Sequence, residues 1–528
     1  MGDYDIAVIG AGLGGVYAMH RFTSQGWSVV GLEGASDVGG VWYHNRYPGA
    51  RVDLDSLDYC YSFSEDVWRS WQWRERYASQ PELLGYLNSV ADRLDVRRHF
   101  HFETWLNGAT WDPARRRYDL ITADGRRLSC RFLVLTTGQL SAARKPGFPG
   151  LDRFRGQWVM TSHWPQDEVE TTGKRIAVIG TGSSGVQTIS TLASEAEHLY
   201  VFQRTANYAV PAQNRPLDGM VQKELGDRLP VEREHLLTDT AGGVRIPEPQ
   251  HPMSHYVTAE RDAMLVRQWE AGGQGMNSVF LDQGRDPQVN DVVADFVRDR
   301  IRGAVRDRAV AEALCPTYPI GTRRLCLEIG YYDAFNQDNV SLVDLRDDPI
   351  IEITETGLRT RDHHHEVDLI VFALGFDAFT GAIDGANIRN EQGITPTDRW
   401  RSGPRTQLGM MTAGFPNLFL PTGPGSPSVL GNLFLQNEYS IDWIADCIAH
   451  LDEKKYASIE PSEAGEAEWT AHVAQLAQGL LRLGIDNYMV HVSDDGSRTF
   501  IPYIGGVRRH VASMREAAAG DYAGFDLR

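Results

Sequence analysis

The sequence predicts an α/β protein that contains two strand–turn–helix units and a helical insertion. The first unit consists of an apolar run at residues 6–9, a glycine-rich turn at 10–15 and a helix-like segment at 16–25. Residues 175–193 repeat the same order, and residues 215–308 are charged and helix-prone. A strand that ends in a glycine turn and continues as a helix is typical of parallel α/β sheets.

Both turns carry the pattern Gly-x-Gly-x-x-Gly, which is typical of a Rossmann-like dinucleotide-binding fold. The three glycines permit a tight turn, a close approach of the backbone to a pyrophosphate, and packing of the helix on the strand. An ordinary glycine turn is the alternative, but the pattern occurs twice with the strand and helix that it requires. The predicted cofactor contacts are Gly10, Gly12 and Gly15 at the first site and Gly180, Thr181, Gly182, Ser183, Ser184, Gly185 and Gln187 at the second.

The residues after the second strand differ between the two units. In the first unit the strand at 27–32 ends at Glu33, whose carboxylate can accept a ribose hydroxyl. In the second unit the strand at 199–202 is followed by Arg204 and Thr205. An arginine pairs with a 2′-phosphate that an acid would repel, although an ordinary surface arginine is the alternative. We therefore expect an FAD-like nucleotide at the first site and NADP(H) at the second.

This organisation implies two discontinuous domains. We expect the insertion to be helical, because residues 292–305 carry apolar residues at helical spacing. The insertion could form a wall of a substrate cavity, although a purely structural cap fits the sequence equally well. The predicted boundaries are 1–145 with 376–528 for an FAD-binding domain, 151–214 with 309–375 for an NADP-binding domain, and 215–308 for the insertion.

Composition excludes several classes of function. The formal net charge of −18 argues against a nucleic-acid partner, which needs a basic surface. No apolar run approaches the length that spans a bilayer, so we expect no membrane segment. No signal-peptide pattern precedes Ile6, and we expect a cytoplasmic protein.

Cysteine and histidine spacing predicts neither disulfides nor a metal site. The five cysteines are scattered and never form Cys-x-x-Cys, which disfavours a disulfide scaffold, a dithiol redox centre and zinc. The run His363-His364-His365 lies between charged residues, and a solvated turn is the expected structure.

Three further motifs carry a family resemblance. They are Gly39-Gly40-Val41-Trp42, then Tyr47-Pro48-Gly49 with Asp53, and finally Gly321-Thr322-Arg323-Arg324. With the two glycine turns, they make the chain resemble the flavin-dependent Baeyer–Villiger monooxygenases from Tyr4 to the C-terminal region, and steroid and phenylacetone monooxygenases look nearest. The resemblance implies an enzyme that uses FAD, NADPH and O2 to convert a ketone into an ester or lactone through a peroxyflavin.

The resemblance also implies roles for individual residues. Arg324 would stabilise the peroxide and the developing oxyanion, and Asp53 would orient Arg324; a structural salt bridge between domains is the alternative. Arg323 would bind the NADP phosphate together with Arg204 and Thr205. The flavin-side positions are Gly40, Val41, Trp42, Asp53 and Tyr59, and a core tyrosine is the alternative at position 59.

Two departures from the family pattern are visible. In the signature Phe-x-Gly-x-x-x-His-x-x-x-Trp-Pro, Phe154, Gly156, Trp164 and Pro165 match, but Met160 takes the histidine position. Near the C-terminus, relatives carry a tryptophan followed by Gly-Ala-Asn in a loop over the nicotinamide cofactor, whereas residues 487–492 differ. Both changes bear on NADPH coupling and on the substrate and leave the chemical core in place.

Two alternative functions remain. A related flavin monooxygenase could transfer oxygen to sulfur or nitrogen, where an arginine that holds an anion is less needed. A non-oxygenating flavoprotein with an NADPH oxidase or binding role is the third hypothesis. The sequence names neither the substrate nor the oligomeric state.

Overall fold

The computed structural model describes residues 2–528, which form two main sheets with a glycine turn at the centre of each. The first sheet is mixed, and the strand that precedes the first turn pairs in parallel on both sides. Its strands in spatial order are Ile388–Arg389, Leu106–Asp112, Arg117–Thr122, Arg127–Leu135, Gly2–Ile9, Val29–Leu32 and Phe100–His101, and Leu418–Phe419 also pairs with Arg127–Leu135.

The second sheet is entirely parallel and has the strand before the second turn at its centre. Its strands in spatial order are Val340–Asp344, His198–Gln203, Arg175–Ile179, Leu369–Phe372 and Gln157–Met160. The predicted α/β fold with two Rossmann-like units is therefore confirmed.

Burial explains why these segments are continuous apolar runs. Every residue of Val29–Leu32 and of Leu369–Phe372 is buried, as is the second half of Gly2–Ile9. Strands that are covered on both faces lose the alternation of polar and apolar residues that a half-exposed strand shows. Helices Leu13–Ser24 and Ser183–Leu192 follow the two glycine turns and pack against their own strands.

The region 215–308 is helical, with the bounds Gly219–Gly226, Leu229–Thr238, Thr258–Ala271 and Pro287–Ala304. In the last of these helices Val293, Val297 and Ile301 are fully buried, which agrees with the predicted apolar spacing. The insertion also contains short 3₁₀ helices at Met253–His255 and Gly273–Asn277.

The remaining elements surround the sheets. The other α-helices are Val41–His44, Glu65–Arg69, Gln80–Arg93, Arg308–Ala313, Tyr331–Ala334, Gly381–Gly385, Pro396–Arg399, Leu433–Lys454, Glu463–Ala477 and Gly506–Ala519. The other 3₁₀ helices are Arg97–His99, Leu151–Arg153, Ser428–Leu430 and Leu481–Gly484. Small sheets pair Ala209–Pro211 with Cys326–Glu328, Ile459–Pro461 with Phe525–Leu527, and Val490–Val492 with Arg498–Phe500.

The histidine run departs from the predicted solvated turn. His364–Glu366 is a short strand that pairs with Gly357–Thr360, which in turn pairs with Ile350–Ile353. The ring of His365 packs edge-on against Phe202, with the ring centres 5.2 Å apart. The expectation of a turn was wrong because pairing with a preceding strand and contact with an aromatic ring order this segment.

Candidate active site

Asp53 and Arg324 form a bidentate ion pair between two distant parts of the chain. The Arg324 Nε lies 2.5 Å from Asp53 Oδ2, and Arg324 Nη2 lies 2.7 Å from Asp53 Oδ1. The third arginine nitrogen, Nη1, donates to the carbonyl of Val429 at 2.7 Å. Burial alone would lower the pKa of Arg324, but the charge and hydrogen bonds of Asp53 outweigh it and raise this pKa above its ordinary value. The guanidinium is therefore cationic and held in one orientation.

This pair lies at the contact between the two Rossmann-like units. Arg324 precedes the strand Cys326–Glu328, and Cys326 Sγ lies 3.6 Å from Ser183 Oγ in the second glycine turn. On the other side, Gln187 Nε2 donates to the carbonyl of Arg51, two residues before Asp53, at 3.0 Å. A group held by the Asp53–Arg324 pair would therefore lie close to both predicted nucleotide sites.

The first glycine turn has the shape that a dinucleotide requires. Gly10 has φ +104°, and a Cβ added there would lie 2.9 Å from the Thr136 carbonyl oxygen. A Cβ on Gly15 would lie 1.8 Å from the Gly10 carbonyl oxygen, so close packing of helix on strand excludes any side chain. At Gly12 the nearest atom is Gly40 Cα at 3.4 Å, an ordinary contact. The first and last glycines are fixed by the fold, and the middle one leaves backbone accessible.

Glu33 holds this turn in place. Its Oε2 accepts a hydrogen bond from Ala11 N at 2.6 Å, and its Oε1 accepts one from Ala35 N at 2.7 Å. The residue is 9% exposed, and each carboxylate oxygen keeps a further lone pair. This arrangement fits the ribose hydroxyl of an FAD-like nucleotide, and the negative charge of Glu33 would repel a 2′-phosphate.

The second turn repeats this design. Gly180 has φ +110°, and a Cβ there would lie 2.5 Å from the Ala373 carbonyl oxygen. A Cβ on Gly185 would lie 2.1 Å from the Gly180 carbonyl oxygen, whereas a Cβ on Gly182 would meet no atom within 4 Å. The open space lies at the N-terminus of Ser183–Leu192, where unpaired backbone N–H groups favour a phosphate. The residues present therefore fit a dinucleotide.

The predicted phosphate-binding residues are arranged beside this turn. Arg204 is exposed, and the carbonyl of Thr205 accepts a hydrogen bond from Thr181 Oγ1 at 3.0 Å. The guanidinium of Arg323 lies 4.9 Å from the ring centre of Tyr318, and its Nε is buried without a hydrogen-bond partner. A buried N–H without a partner is costly, so Arg323 is suited to an additional acceptor such as a phosphate oxygen.

Gln187 contacts the other unit with both ends of its amide. Besides the bond to Arg51, its Oε1 accepts a hydrogen bond from the Tyr47 hydroxyl at 2.8 Å. A Cβ on Gly49 would lie 2.5 Å from the Gln187 carbonyl oxygen, so the backbones approach closely here as well. The amide thus joins the two units, and its contact with NADP remains a prediction. The contact of Ser184 with NADP also remains a prediction.

The predicted flavin-side residues form an aromatic group. Val41 and Trp42 begin the helix Val41–His44, directly after Gly40, which has φ +55°. Trp42 Nε1 donates to the Tyr59 hydroxyl at 3.3 Å, and burial raises the pKa of Tyr59 to about 12. Tyr59 is 6% exposed and also packs against Phe434. The core interpretation of Tyr59 and a flavin contact are compatible in this position.

Comparison with known proteins decides the family. The model of the pyridine nucleotide-disulphide oxidoreductase family matches residues 4–232. A Baeyer–Villiger monooxygenase of Pseudooceanicola batsensis is 37% identical over 525 residues, which cover 97% of this chain and 95% of that protein. The chain belongs to the flavin-dependent Baeyer–Villiger monooxygenase family.

Two further proteins that are similar to this chain indicate its cofactor and its range of chemistry. The structure of an oxidised steroid monooxygenase bound to NADP superposes with a TM-score of 0.94 at 44% identity, covering 99% of both chains. A phenazine N-monooxygenase of Lysobacter antibioticus is 36% identical over 536 residues, covering 99% of this chain and 97% of that protein. The similarity thus includes an enzyme that is named for oxidation of nitrogen.

The family signature around Met160 places Met160 and His163 in different surroundings. Met160 ends the edge strand Gln157–Met160, is partly buried, and packs against the core of the second unit. His163, three residues later, lies against His44 of the first unit with ring centres 4.9 Å apart. Trp164 N donates to the carbonyl of His44 at 3.1 Å. His163 therefore lies at the contact between the two units, whereas Met160 does not carry a histidine to it.

Sequence reasoning missed two residues of this site. Val429 contributes only a carbonyl. Arg482, whose Nε donates to the Gly321 carbonyl in the loop of Arg324, belongs to a 3₁₀ helix, Leu481–Gly484, that carries no motif. Neither position has a local sequence signal, because both are brought to the site by the C-terminal part of the chain. Within residues 2–528 no group of three or more metal-ligating side chains occurs, and no helix there has the length and apolar character needed to cross a membrane.

Proposed function

We propose that this protein is an FAD-containing, NADPH- and O2-dependent Baeyer–Villiger monooxygenase that converts a ketone into an ester or lactone. The observation that carries the proposal is the bidentate Asp53–Arg324 pair at the contact between two Rossmann-like units. Such a pair supplies a fixed positive charge next to both nucleotide sites, where an anionic oxygen has to be stabilised.

The two cofactors have separate candidate sites. FAD would be held by Gly10, Gly12, Gly15 and Glu33, with Gly40, Val41, Trp42 and Tyr59 on its flavin side. NADPH would be held by residues 180–185 together with Arg204, Thr205 and Arg323. When bound, these groups supply the hydride and the activation of O2 that oxygen insertion requires.

Arg324 acts as an electrostatic stabiliser in this proposal. A guanidinium has five N–H donors, and three are engaged by Asp53 and Val429, which leaves two for an anionic oxygen in the cleft. Because Asp53 fixes the orientation, little reorganisation is needed as negative charge develops on the substrate oxygen. Tyr59 stays protonated at neutral pH, since burial raises its pKa to about 12, and its hydroxyl remains a possible donor beside the pair.

The test is a stoichiometric assay. The purified holoenzyme is incubated with NADPH and a panel of cyclic, aryl and steroid ketones, while NADPH, O2 and product mass are followed together. The proposal predicts one NADPH and one O2 consumed per product that gains one oxygen atom as an ester or lactone. Consumption of NADPH with hydrogen peroxide as the sole product, across the whole panel, would contradict it.

Oxidation of sulfur or nitrogen is a second candidate, favoured by the similarity to a phenazine N-monooxygenase. Thioether and amine substrates do not pass through a tetrahedral oxyanion, so they depend less on a fixed guanidinium. Thioanisole and a cyclic ketone, compared in the same assay, distinguish the two functions. Turnover of the thioether alone would make this candidate the better one.

We also propose the domain boundaries and a cytoplasmic location. Strands of the first sheet come from residues 2–135 and 388–419, and those of the second from 157–203 and 340–372, which supports the proposed division. The five cysteines are free and buried, which is compatible with a reducing compartment. Cell fractionation tests the location, and a purely membrane-bound or extracellular enzyme would contradict it.

A further inference from the structure

Arg482 lies where three parts of the protein meet. Its Nε donates to the Gly321 carbonyl at 2.7 Å, in the same loop as Arg324. The preceding residue, Leu481, donates its backbone N–H to the Gly284 carbonyl of the insertion at 3.0 Å. The loop that follows carries Tyr488. Arg482 thus contacts or adjoins the loop that carries Arg324, the helical insertion, and the segment that differs from the family pattern.

The guanidinium of Arg482 lacks a partner for its charge. Its Nη1 is excluded from solvent and makes no hydrogen bond. Burial lowers the pKa of Arg482, and the ionisable groups that act on it are the phenol of Tyr488 and the cation of Arg324. Neither of these is a carboxylate. Arg324, in contrast, has Asp53 as its counter-ion, so Arg482 is the surplus positive charge of the cluster.

Arg482 is only partly buried, but its Nη1 is removed from water, and a cation in that position without a counter-ion is unfavourable. Such a group is retained at a binding site when a ligand supplies the missing negative charge. The phosphates of the two nucleotides have their own predicted partners at the glycine turns and at Arg204 and Arg323. The remaining anion would therefore come from the substrate.

The surroundings indicate the rest of the ligand. Tyr488 stacks on Phe379, with the ring planes 22° apart and the ring centres separated by 6.3 Å. Both belong to an apolar cluster that also contains Val429, whose carbonyl binds Arg324, and Leu483, next to Arg482. An apolar carbon skeleton against this cluster would place a carbonyl near Arg324 and an acidic group near Arg482.

We propose that Arg482 binds an acidic group of the substrate, so that the preferred substrates are ketones with a carboxylate on an apolar skeleton. Arg482 is thus a specificity-determining residue, and the inference rests on the proposed ketone oxidation. The same charge could instead meet a phosphate of NADPH, and the experiment separates these two sources of the anion.

The probes are 4-oxocyclohexanecarboxylate and its methyl ester, which differ in charge and hardly in shape. Arg482→Gln should raise the KM for the keto acid roughly 10- to 100-fold, the range of one charge-assisted hydrogen bond, and leave kcat within about 2-fold. The KM for the methyl ester should change by less than about 3-fold. NADPH binding to the oxidised holoenzyme should stay unchanged.

Arg498→Gln is the matched control. Arg498 also packs on the 3₁₀ helix, through a hydrogen bond from its Nε to the Leu483 carbonyl, but its charge is paired with Asp486 at 2.9 Å. Loss of loop packing would affect both variants and both probes alike, and that result would overturn the proposal. A loss confined to NADPH affinity in Arg482→Gln would also overturn it, because the anion would then be the cofactor.

A binding readout keeps this inference distinct from the proposed function. Titration of the oxidised holoenzyme with each probe, followed by the flavin absorbance, reports affinity without turnover. If the keto acid binds in a manner that depends on Arg482 but is never oxygenated, the site inference holds and the proposed ketone oxidation fails. Equal affinity for acid and ester in the wild-type protein would overturn the inference, whether or not either is oxidised.

Discussion

Gly182→Ala should separate nucleotide binding from folding. Gly182 caps the helix Ser183–Leu192 with φ −78° and ψ −171°, an extended conformation that alanine adopts freely. No atom lies within 4 Å of an added Cβ. Alanine is a poorer N-cap than glycine, which destabilises the folded protein by about 1 kcal/mol. Alanine also lowers the conformational entropy of the unfolded chain, which stabilises the folded protein by roughly 0.4–1 kcal/mol. The free energy of unfolding should change by less than about 1 kcal/mol.

NADPH binding should respond strongly to the same change. The added methyl group would occupy the space in which backbone N–H groups approach a pyrophosphate, and each charge-assisted hydrogen bond lost costs roughly 1.5–3 kcal/mol. The Kd for NADPH should therefore rise about 10- to 150-fold, while bound FAD is retained. Thermal unfolding and titration of the oxidised holoenzyme with NADP measure the two effects separately.

Gly185→Ala is the matched control, since its Cβ would lie 2.1 Å from the Gly180 carbonyl oxygen. Helix and strand must then move apart, and we expect a loss of roughly 1–3 kcal/mol in the free energy of unfolding. Wild-type NADPH affinity in Gly182→Ala would refute the placement of the pyrophosphate at this turn. A large drop in the thermal stability of Gly182→Ala would contradict the prediction that the added Cβ fits at this position without a clash.

Three further substitutions test the flavin site, the 2′-phosphate site and a buried histidine. Glu33→Gln replaces one acceptor of a backbone N–H with a donor, so FAD affinity should fall by about 10-fold or more, measured as flavin retained on dilution. Arg204→Ala should raise the KM for NADPH roughly 10- to 100-fold and leave that for NADH unchanged. Burial lowers the pKa of His510 from 6.5 to about 4, so the folded protein favours neutral His510 and loses roughly 3 kcal/mol of stability as pH falls from about 6.5 through 4. His510→Gln should remove that part of the pH dependence, followed by thermal unfolding at several pH values.

Each of these predictions has a result that would contradict it. Wild-type retention of flavin in Glu33→Gln would contradict the role given to this carboxylate. Equal losses of NADPH and NADH in Arg204→Ala would mean that the arginine does not read the 2′-phosphate. His510 Nε2 donates to the Leu408 carbonyl at 2.7 Å, and Nδ1 accepts from the Tyr439 hydroxyl at 2.8 Å. An unchanged acid dependence in His510→Gln would show that other groups, such as His44, dominate it.

The Rossmann-like units could be predicted from the sequence because their signals are local. The strand Arg175–Ile179 begins where the second unit was predicted to begin, and Gly180 marks its end. The helix Leu13–Ser24 begins three residues earlier than predicted, because Gly14 and Gly15 already lie in its first turn. The strand at His364–Glu366 was not foreseen, although only three residues separate it from its partner Gly357–Thr360, because a histidine-rich segment between charged residues lacks the apolar alternation that marks a strand.

The candidate site was only partly accessible from the sequence. Asp53 and Arg324 are 271 positions apart, and no local sequence pattern predicts their contact. The contact was expected only from the family resemblance. Gln187 was assigned from its place after the glycine turn, but its amide bonds are made to the other unit. Arg482 belongs to no sequence motif. Its Nη1 lacks a hydrogen-bond partner, and this can be recognised only when the positions of the surrounding groups are known.

The most direct test of the central claim is a comparison of Arg324→Ala with the wild-type holoenzyme, with product mass and flavin reduction measured in the same preparation. We expect ketone oxygenation to fall by at least about 100-fold, because an electrostatic stabiliser is lost, while FAD stays bound and thioether oxidation is less affected. Arg324→Lys, which keeps the charge but cannot form the bidentate pair, should recover little of the activity. If Arg324→Ala still produced ester or lactone at the wild-type rate, the role given to the Asp53–Arg324 pair would be wrong.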